Sequence, residues 1–508
     1  MKKILKFLTS RLFIVGALIA VQAAILVFFI FFLSSYFVYL YALFVLLSIV
    51  VTVYIVTKKD NPMYKLAWII PVLLVPVFGG LLYLIFGNRN ISKKMKKRIS
   101  GLYHATVTLL PKNLDVLEEV RQSDPQIAKQ SVYLTGISME PIWKNTSTRF
   151  LPIGEVKFDA LVEELKKAEK FIFLEYFIVE EGVMWNTVLD ILIEKARQGV
   201  DVRVMYDDLG TINLLPTGYE KKLQKLGIKA CVFNPFRPSL DVFMNYRDHR
   251  KIAVIDGNVG FTGGINLADE YINAYPKHGH WKDSSILIKG DAVWNLTVMF
   301  LQMWEYVTNE HTDDYTIYRP TEQYPSDGYV QPFGDIPVDE DLVGELAYMN
   351  MINNATNYVY ISTPYLILDN EMITALSLAA ESGVDVRIVT PHVPDKWFVH
   401  ETTRSFYRIL IDAGVKIYEY TPGFIHAKTI LVDDKVGIVG TTNFDFRSFY
   451  LHFECGCFLY QSSALKEVKE DYFKILGVSQ PITDEECRKV PVLRRMVRAF
   501  LRLFAPLM

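Results

Sequence analysis

Two stretches of the chain carry the same polar pattern. His249, Lys251 and Asp256 are spaced His-x-Lys-x4-Asp, and His426, Lys428 and Asp433 repeat that spacing 177 residues later. Seventeen residues after each histidine stands an asparagine, Asn266 in Gly263-Gly-Ile-Asn266 and Asn443 in Gly440-Thr-Thr-Asn443. Residues i and i+2 of a strand share a face, so each histidine lies beside its lysine. Two such pairs brought together make a small cationic pocket suited to a phosphate. Lysine supplies charge and donors there, and an imidazole nitrogen can attack phosphorus. Each aspartate completes its motif, but an odd step of seven residues at a turn puts it off that face. Asp256 and Asp433 are therefore assigned to fixing the hairpin and its local network. A carboxylate on the imidazole Nδ1–H would set the tautomer. The candidates are Asp283 and Glu454, 34 and 28 residues past the histidine of their own half. The expected pairs are thus Asp283 with His249 and Glu454 with His426.

The other histidines among the nine, such as His104, His311 and His452, read as ordinary core or surface residues. Two histidines with carboxylates could bind zinc, but lysines on the same face oppose a cation, so no metal and no cofactor are expected. Cys231, Cys455, Cys457 and Cys487 are too few and scattered for a disulfide framework. They suit a reducing compartment. A net charge of −2 lacks the basic excess of a nucleic-acid binder.

The elements that must carry these motifs also come twice. Strand-like residues 171–178 lead into a helix-periodic stretch and then Gly199-Val-Asp-Val-Arg-Val204. Residues 358–361, a helical stretch and Gly383-Val-Asp-Val-Arg-Ile388 repeat the order. Strands alternating with helices predict an α/β fold of two duplicated domains, each a sheet covered by helices. The first is expected over 145–325 and the second over 326–490, with 99–144 as a connecting region.

The apolar excess sits at the front. No charged residue occurs from 12 to 57, and Ser34-Ser35 splits this run into two pieces of about 20 residues. Each would be about 30 Å long as a helix, enough to cross a bilayer core. Residues 1–60 are therefore expected to form a transmembrane hairpin. The third apolar stretch, 66–86, carries Pro71, Pro76 and Gly79-Gly80, which favour a re-entrant or interfacial segment within 61–98. Basic clusters precede the hairpin (Lys2, Lys3, Lys6, Arg11), follow it (Lys58, Lys59, Lys65) and follow the third stretch (Arg89, Lys93, Lys94, Lys96, Lys97, Arg98). The positive-inside rule then puts all three clusters, and the rest of the chain, on the cytoplasmic side. Residues 491–508 predict a basic amphipathic helix. Its arginines, Arg494, Arg495, Arg498 and Arg502, would face either anionic lipid or solvent.

The duplicated His-x-Lys-x4-Asp motifs with their Gly-x-x-Asn resemble the phospholipase D superfamily. The segment Asn61-Pro-Met-Tyr-Lys-Leu-Ala-Trp with Pro76-Val-Phe-Gly-Gly-Leu-Leu-Tyr is similar to the amino-terminal membrane region of bacterial cardiolipin synthases, as is the ending Arg502-Leu-Phe-Ala-Pro-Leu-Met508. The resemblance implies two phospholipase D-like α/β/α sandwich domains behind a membrane region. It implies a phosphatidyl-histidine intermediate on His249, acid/base work by His426, and phosphate oxygens held by Lys251, Lys428, Asn266 and Asn443 without metal. The implied partners are phosphatidylglycerol and anionic membrane lipids, and the implied products are cardiolipin and glycerol. The acceptor alcohol is not written in the motifs. Water would make a phospholipase and serine a phosphatidylserine synthase. A nuclease and a catalytically silent scaffold are the more distant alternatives.

Overall fold

The computed structural model describes residues 20–21, 23–25, 27–28, 37–87, 93–236, 245–337 and 341–507. They belong to two compact units, an amino-terminal one through residue 92 and a larger one holding 93–234 and 246–506.

In the amino-terminal unit, most of the first apolar run lies outside the described residues. The second run forms the helix Phe37–Thr57, 21 residues without a charge. Among the described residues, which leave out several side chains of its first turn, no helix is long and apolar enough to cross a membrane. The third stretch folds back on itself. Asn61 caps Pro62–Leu74 by accepting from the Met63 amide at 2.9 Å, with Pro62 preset for a first turn. The helix stops at Val75, whose φ of −129° and ψ of 71° leave the helical region, and Pro76–Leu82 starts anew. A Cβ on Gly79 would stand 2.3 Å from the Pro71 carbonyl oxygen, so only glycine lets the two arms meet. Tyr64 Oη donates to the Gly87 carbonyl at 3.2 Å, which brings the start of the first arm to the end of the second. Val51, Ile55, Val72 and Tyr83 form the core of this unit.

The larger unit holds two mixed sheets of matching order. The first runs Thr146–Leu151, Ser285–Gly290, Val259–Gly263, Ile252–Ile255, Phe171–Tyr176, Asp201–Asp207, Lys229–Phe233. The second runs Tyr329–Asp335, His452–Tyr460, Val436–Gly440, Thr429–Val432, Tyr358–Ser362, Asp385–Pro391, Lys416–Tyr420, and adds Ser479–Ile482 at its edge. In both, the Gly-Val-Asp-Val-Arg segment follows a helical crossover and pairs in parallel with the preceding strand. The helix Val293–Thr308 is buried at every position from Val293 to Glu305, as its apolar sequence demands, and packs against strands of both sheets. Phe300 stacks on Phe173 of the first sheet at 4.6 Å.

Two short parallel pairings tie the halves together. His280–Lys282 of the first half pairs with Gly423–Ile425 of the second. Arg247–Asp248 of the first pairs with His452–Phe453 of the second. Both pairings end one residue before a motif histidine.

The carboxyl-terminal helix, Val492–Leu503, corrects one expectation. Arg494 and Arg498 turn inward to Glu401, Arg498 Nε at 2.8 Å, and the Arg502 guanidinium lies 4.5 Å over the Phe406 ring. Of the four arginines only Arg495 is exposed without a partner among the described residues. The side that faces outward is apolar.

Candidate active site

Each histidine is held at the end of one of those pairings. The His249 amide donates to the Phe453 carbonyl at 2.9 Å, and the His426 amide to the Lys282 carbonyl at 2.6 Å. The next residue on each partner strand is a carboxylate, so His249 meets Glu454 and His426 meets Asp283. His249 Nδ1 lies 2.9 and 3.0 Å from the two Glu454 oxygens. His426 Nδ1 lies 2.6 Å from Asp283 Oδ2. The expected within-half pairs are therefore exchanged: the interlocking strands carry each carboxylate across to the other half's histidine. An acceptor on Nδ1 leaves Nε2 as the reactive nitrogen of both rings.

The lysines sit beside their histidines. Lys251 Nζ donates to the His249 carbonyl and Lys428 Nζ to the His426 carbonyl, both at 2.5 Å, and Lys428 Nζ is also 2.8 Å from His426 Nδ1. All four side chains are buried. Burial, and then the charges of Lys251 and Lys428, hold His249 well below the ordinary histidine value. Burial and Lys428 push His426 down to about 4 against the pull of Asp283. Burial likewise takes Lys251 down to about 7 and Lys428 to about 8. Burial thus disfavours the positive charge of all four side chains, and an anion beside them would favour it.

Asp256 and Asp433 are not brought to this centre. Each lies at the far end of its strand with positive φ, 52° and 55°. Asp256 accepts from the amides of Glu169, Lys170 and Phe171 at 2.7–2.8 Å. Asp433 accepts from Thr356, Asn357 and Tyr358 at 2.7–2.8 Å. Asn266 accepts from the Ile178 amide at 3.0 Å and donates to Tyr271 Oη at 2.7 Å, tethering a ring that meets His426 edge-on at 5.6 Å. Asn443 hydrogen-bonds Asp445, and its carboxamide oxygen has no partner among the described residues.

Sequence reasoning missed the residues that make the two halves unequal. Trp281 and Phe424 pack 5.6 and 5.9 Å from His426. His249 instead has Phe177 at 5.1 Å and His452 at 5.3 Å. Thr441 donates its hydroxyl to Glu454, while the matching Gly264 leaves room for Asp283, whose Oδ1 would stand 2.1 Å from an added Cβ. The one signal for this was the second position of the Gly-x-x-Asn repeats. For a metal, His249, His452 and Glu454 offer donor atoms within 4.8 Å of one another. Lys251 and Lys428 oppose a cation there.

Comparison with known proteins gives matches over most of the chain. The family described as cardiolipin synthase, PLD-like domain, matches residues 161–304 and 348–476, once per half. The phospholipase D-nuclease N-terminal family matches 46–88. An uncharacterized protein of Streptococcus mutans is 41% identical, covering 90% of this chain and 99% of its own. A cardiolipin synthase of Alkalihalophilus pseudofirmus is 35% identical over 92% of this chain and 93% of its own. Cardiolipin synthase 2 of Bacillus anthracis is 35% identical, with 89% and 88% covered. The solved phosphatidylserine synthase of Haemophilus influenzae shares the fold, with a TM-score of 0.56 at 16% identity over 75% of this chain and 98% of that one. With its two matched halves and these relatives over nearly its whole length, the chain belongs to the bacterial cardiolipin synthase family of the phospholipase D superfamily.

Proposed function

We propose that the chain joins two phosphatidylglycerol molecules into cardiolipin and glycerol. The observation that carries this reading is the exchanged pairing, which makes one site from two halves and gives each a histidine with Nδ1 engaged and Nε2 available. In the first step His249 Nε2 attacks phosphorus, the bond to the glycerol oxygen breaks, and His426 delivers a proton to that oxygen. In the second, a hydroxyl of another phosphatidylglycerol gives its proton to His426, attacks the phosphorus and releases His249. One group thus serves as acid and then base. Lys251 and Lys428 supply the charge that holds the phosphoryl oxygens. The bound phosphodiester offsets their mutual repulsion and raises His426 toward the protonated form that the first step needs. Asn266 acts through Tyr271, and Asn443 has a free acceptor for the second alcohol.

In this reading residues 1–60 cross the membrane twice and 66–86 enter and leave on one side. The charge-free helix Phe37–Thr57 and the reversal at Val75 support it. The basic residues at both ends of these segments favour a cytoplasmic face for the remainder.

The test is incubation of the purified full chain with labelled phosphatidylglycerol. Cardiolipin and glycerol in equal amounts are expected. Phosphatidic acid alone would mean hydrolysis, and phosphatidylserine on adding serine would move the acceptor.

A further inference from the structure

The helix Val492–Leu503 presents its apolar side to the outside. Leu493, Met496 and Phe500 are 74%, 64% and 63% exposed, with Val492 and Val497 beside them. At 100° per residue these positions form one stripe. The opposite side is fastened down: one carboxylate, Glu401, receives both Arg494 and Arg498. Those two guanidinium groups hold Glu401 down to about 2 although its partial burial acts the other way. Two of the arginines are thus engaged by Glu401, and the apolar stripe stays exposed, with Phe500 packed on Phe504 of its own end at 5.0 Å.

The charge around the stripe decides what covers it. Residues 491–508 contain no acidic residue. Arg495 is exposed on the helix, and Lys396 and Trp397 are exposed where the supporting helix Trp397–Asp412 begins. A shallow apolar row with a cationic edge and a tryptophan is what an in-plane helix needs at an anionic lipid surface. We infer that this stripe inserts into the acyl boundary of an anionic bilayer leaflet, with Arg495 and Lys396 at headgroup level. Glu401 is the internal counter-charge that sets which side faces the lipid. The inference rests on the lipid-substrate reading above and adds the surface by which the catalytic unit is held to its substrate.

The experiment uses the full chain with Cys231→Ser and Cys487→Ser, reconstituted in nanodiscs of phosphatidylcholine and phosphatidylglycerol. An environment-sensitive fluorophore is attached at Met496→Cys, at Phe500→Cys, or at Lys466→Cys, a residue whose side chain is 84% exposed on another helix. Lipids bearing a nitroxide on the acyl chain are then added. Labels at 496 and 500 should lose at least about half their emission, as side chains about 5–10 Å deep do, and the label at 466 should be unchanged. Replacing phosphatidylglycerol by phosphatidylcholine should weaken the quenching. If cardiolipin forms while 496 and 500 stay unquenched, the insertion is wrong and the reaction stands. If both are quenched but no cardiolipin forms, the insertion stands and the substrate reading falls.

Discussion

At the scale of single residues, the exchanged carboxylates divide the two chemical roles, nucleophile and acid/base. Glu454 belongs to His249 and Asp283 to His426, although each lies in the other's half. Glu454→Gln should therefore slow formation of the phosphatidyl-enzyme, and Asp283→Asn should slow both that step, which needs the proton from His426, and the second transfer, which needs His426 as base. Each should lower kcat by about 10²–10⁴-fold, the usual reach of acid–base assistance. Rapid quench of the trapped intermediate checks this. An unchanged rate of intermediate formation in Glu454→Gln would refute the exchange as a functional arrangement. The lysines set the alkaline limit. Burial favours their neutral forms, so as pH rises through about 7 and about 8 first Lys251 and then Lys428 lose the charge that holds the phosphate. kcat/KM should fall from about pH 7 and more steeply above about pH 8, and Lys428→Arg should remove the steeper part, since a guanidinium keeps its proton. The same limb in both proteins would remove Lys428 from phosphate binding. The motif spacing made the histidines and lysines readable from the sequence. It could not reveal the exchange, because a count of residues within one half carries no information about which strand of the other half lies alongside.

At the scale of elements, the motif aspartates are turn clamps. Asp256 satisfies three amides just before the strand Phe171–Tyr176, where a carboxylate accepting N–H groups is worth more than a neutral partner. Asp256→Ala should cost roughly 3 kcal/mol of stability. The folded enzyme should keep turnover within about twofold of the parent. Thermal unfolding alongside active-site titration measures both, and a stable protein that has lost turnover would put Asp256 back in the chemistry. Strand–helix alternation was legible because the Gly-Val-Asp-Val-Arg segments, alternating β-branched and charged residues, recur 184 residues apart after helix-periodic stretches. The linking strands His280–Lys282 and Gly423–Ile425 were not, since three residues show no period. The carboxyl-terminal helix shows a third case. Its two sides were evident from the arginine spacing, but which side faces outward depends on Glu401, 93 residues away from Arg494.

At the scale of the whole molecule, the duplication gives two sheets of one order, and the relatives match over almost the entire chain. Residues 89–508 are expected on the cytoplasmic side. A cysteine at Lys466, in a background lacking Cys231 and Cys487, should resist an impermeant maleimide in intact cells and react after lysis. Labelling before lysis would turn the catalytic unit outward. The interlocked strands also impose a schedule on synthesis. His249 is made with the first domain, but its carboxylate is Glu454, 205 residues later. A ribosome that has finished the first domain has therefore produced a nucleophile without the group that orients it. Any message broken or terminated before codon 454 yields a chain with no working histidine pair. The pair is complete only once the second domain has been made, so a fragment that stalls earlier carries a His249 that lacks its orienting carboxylate.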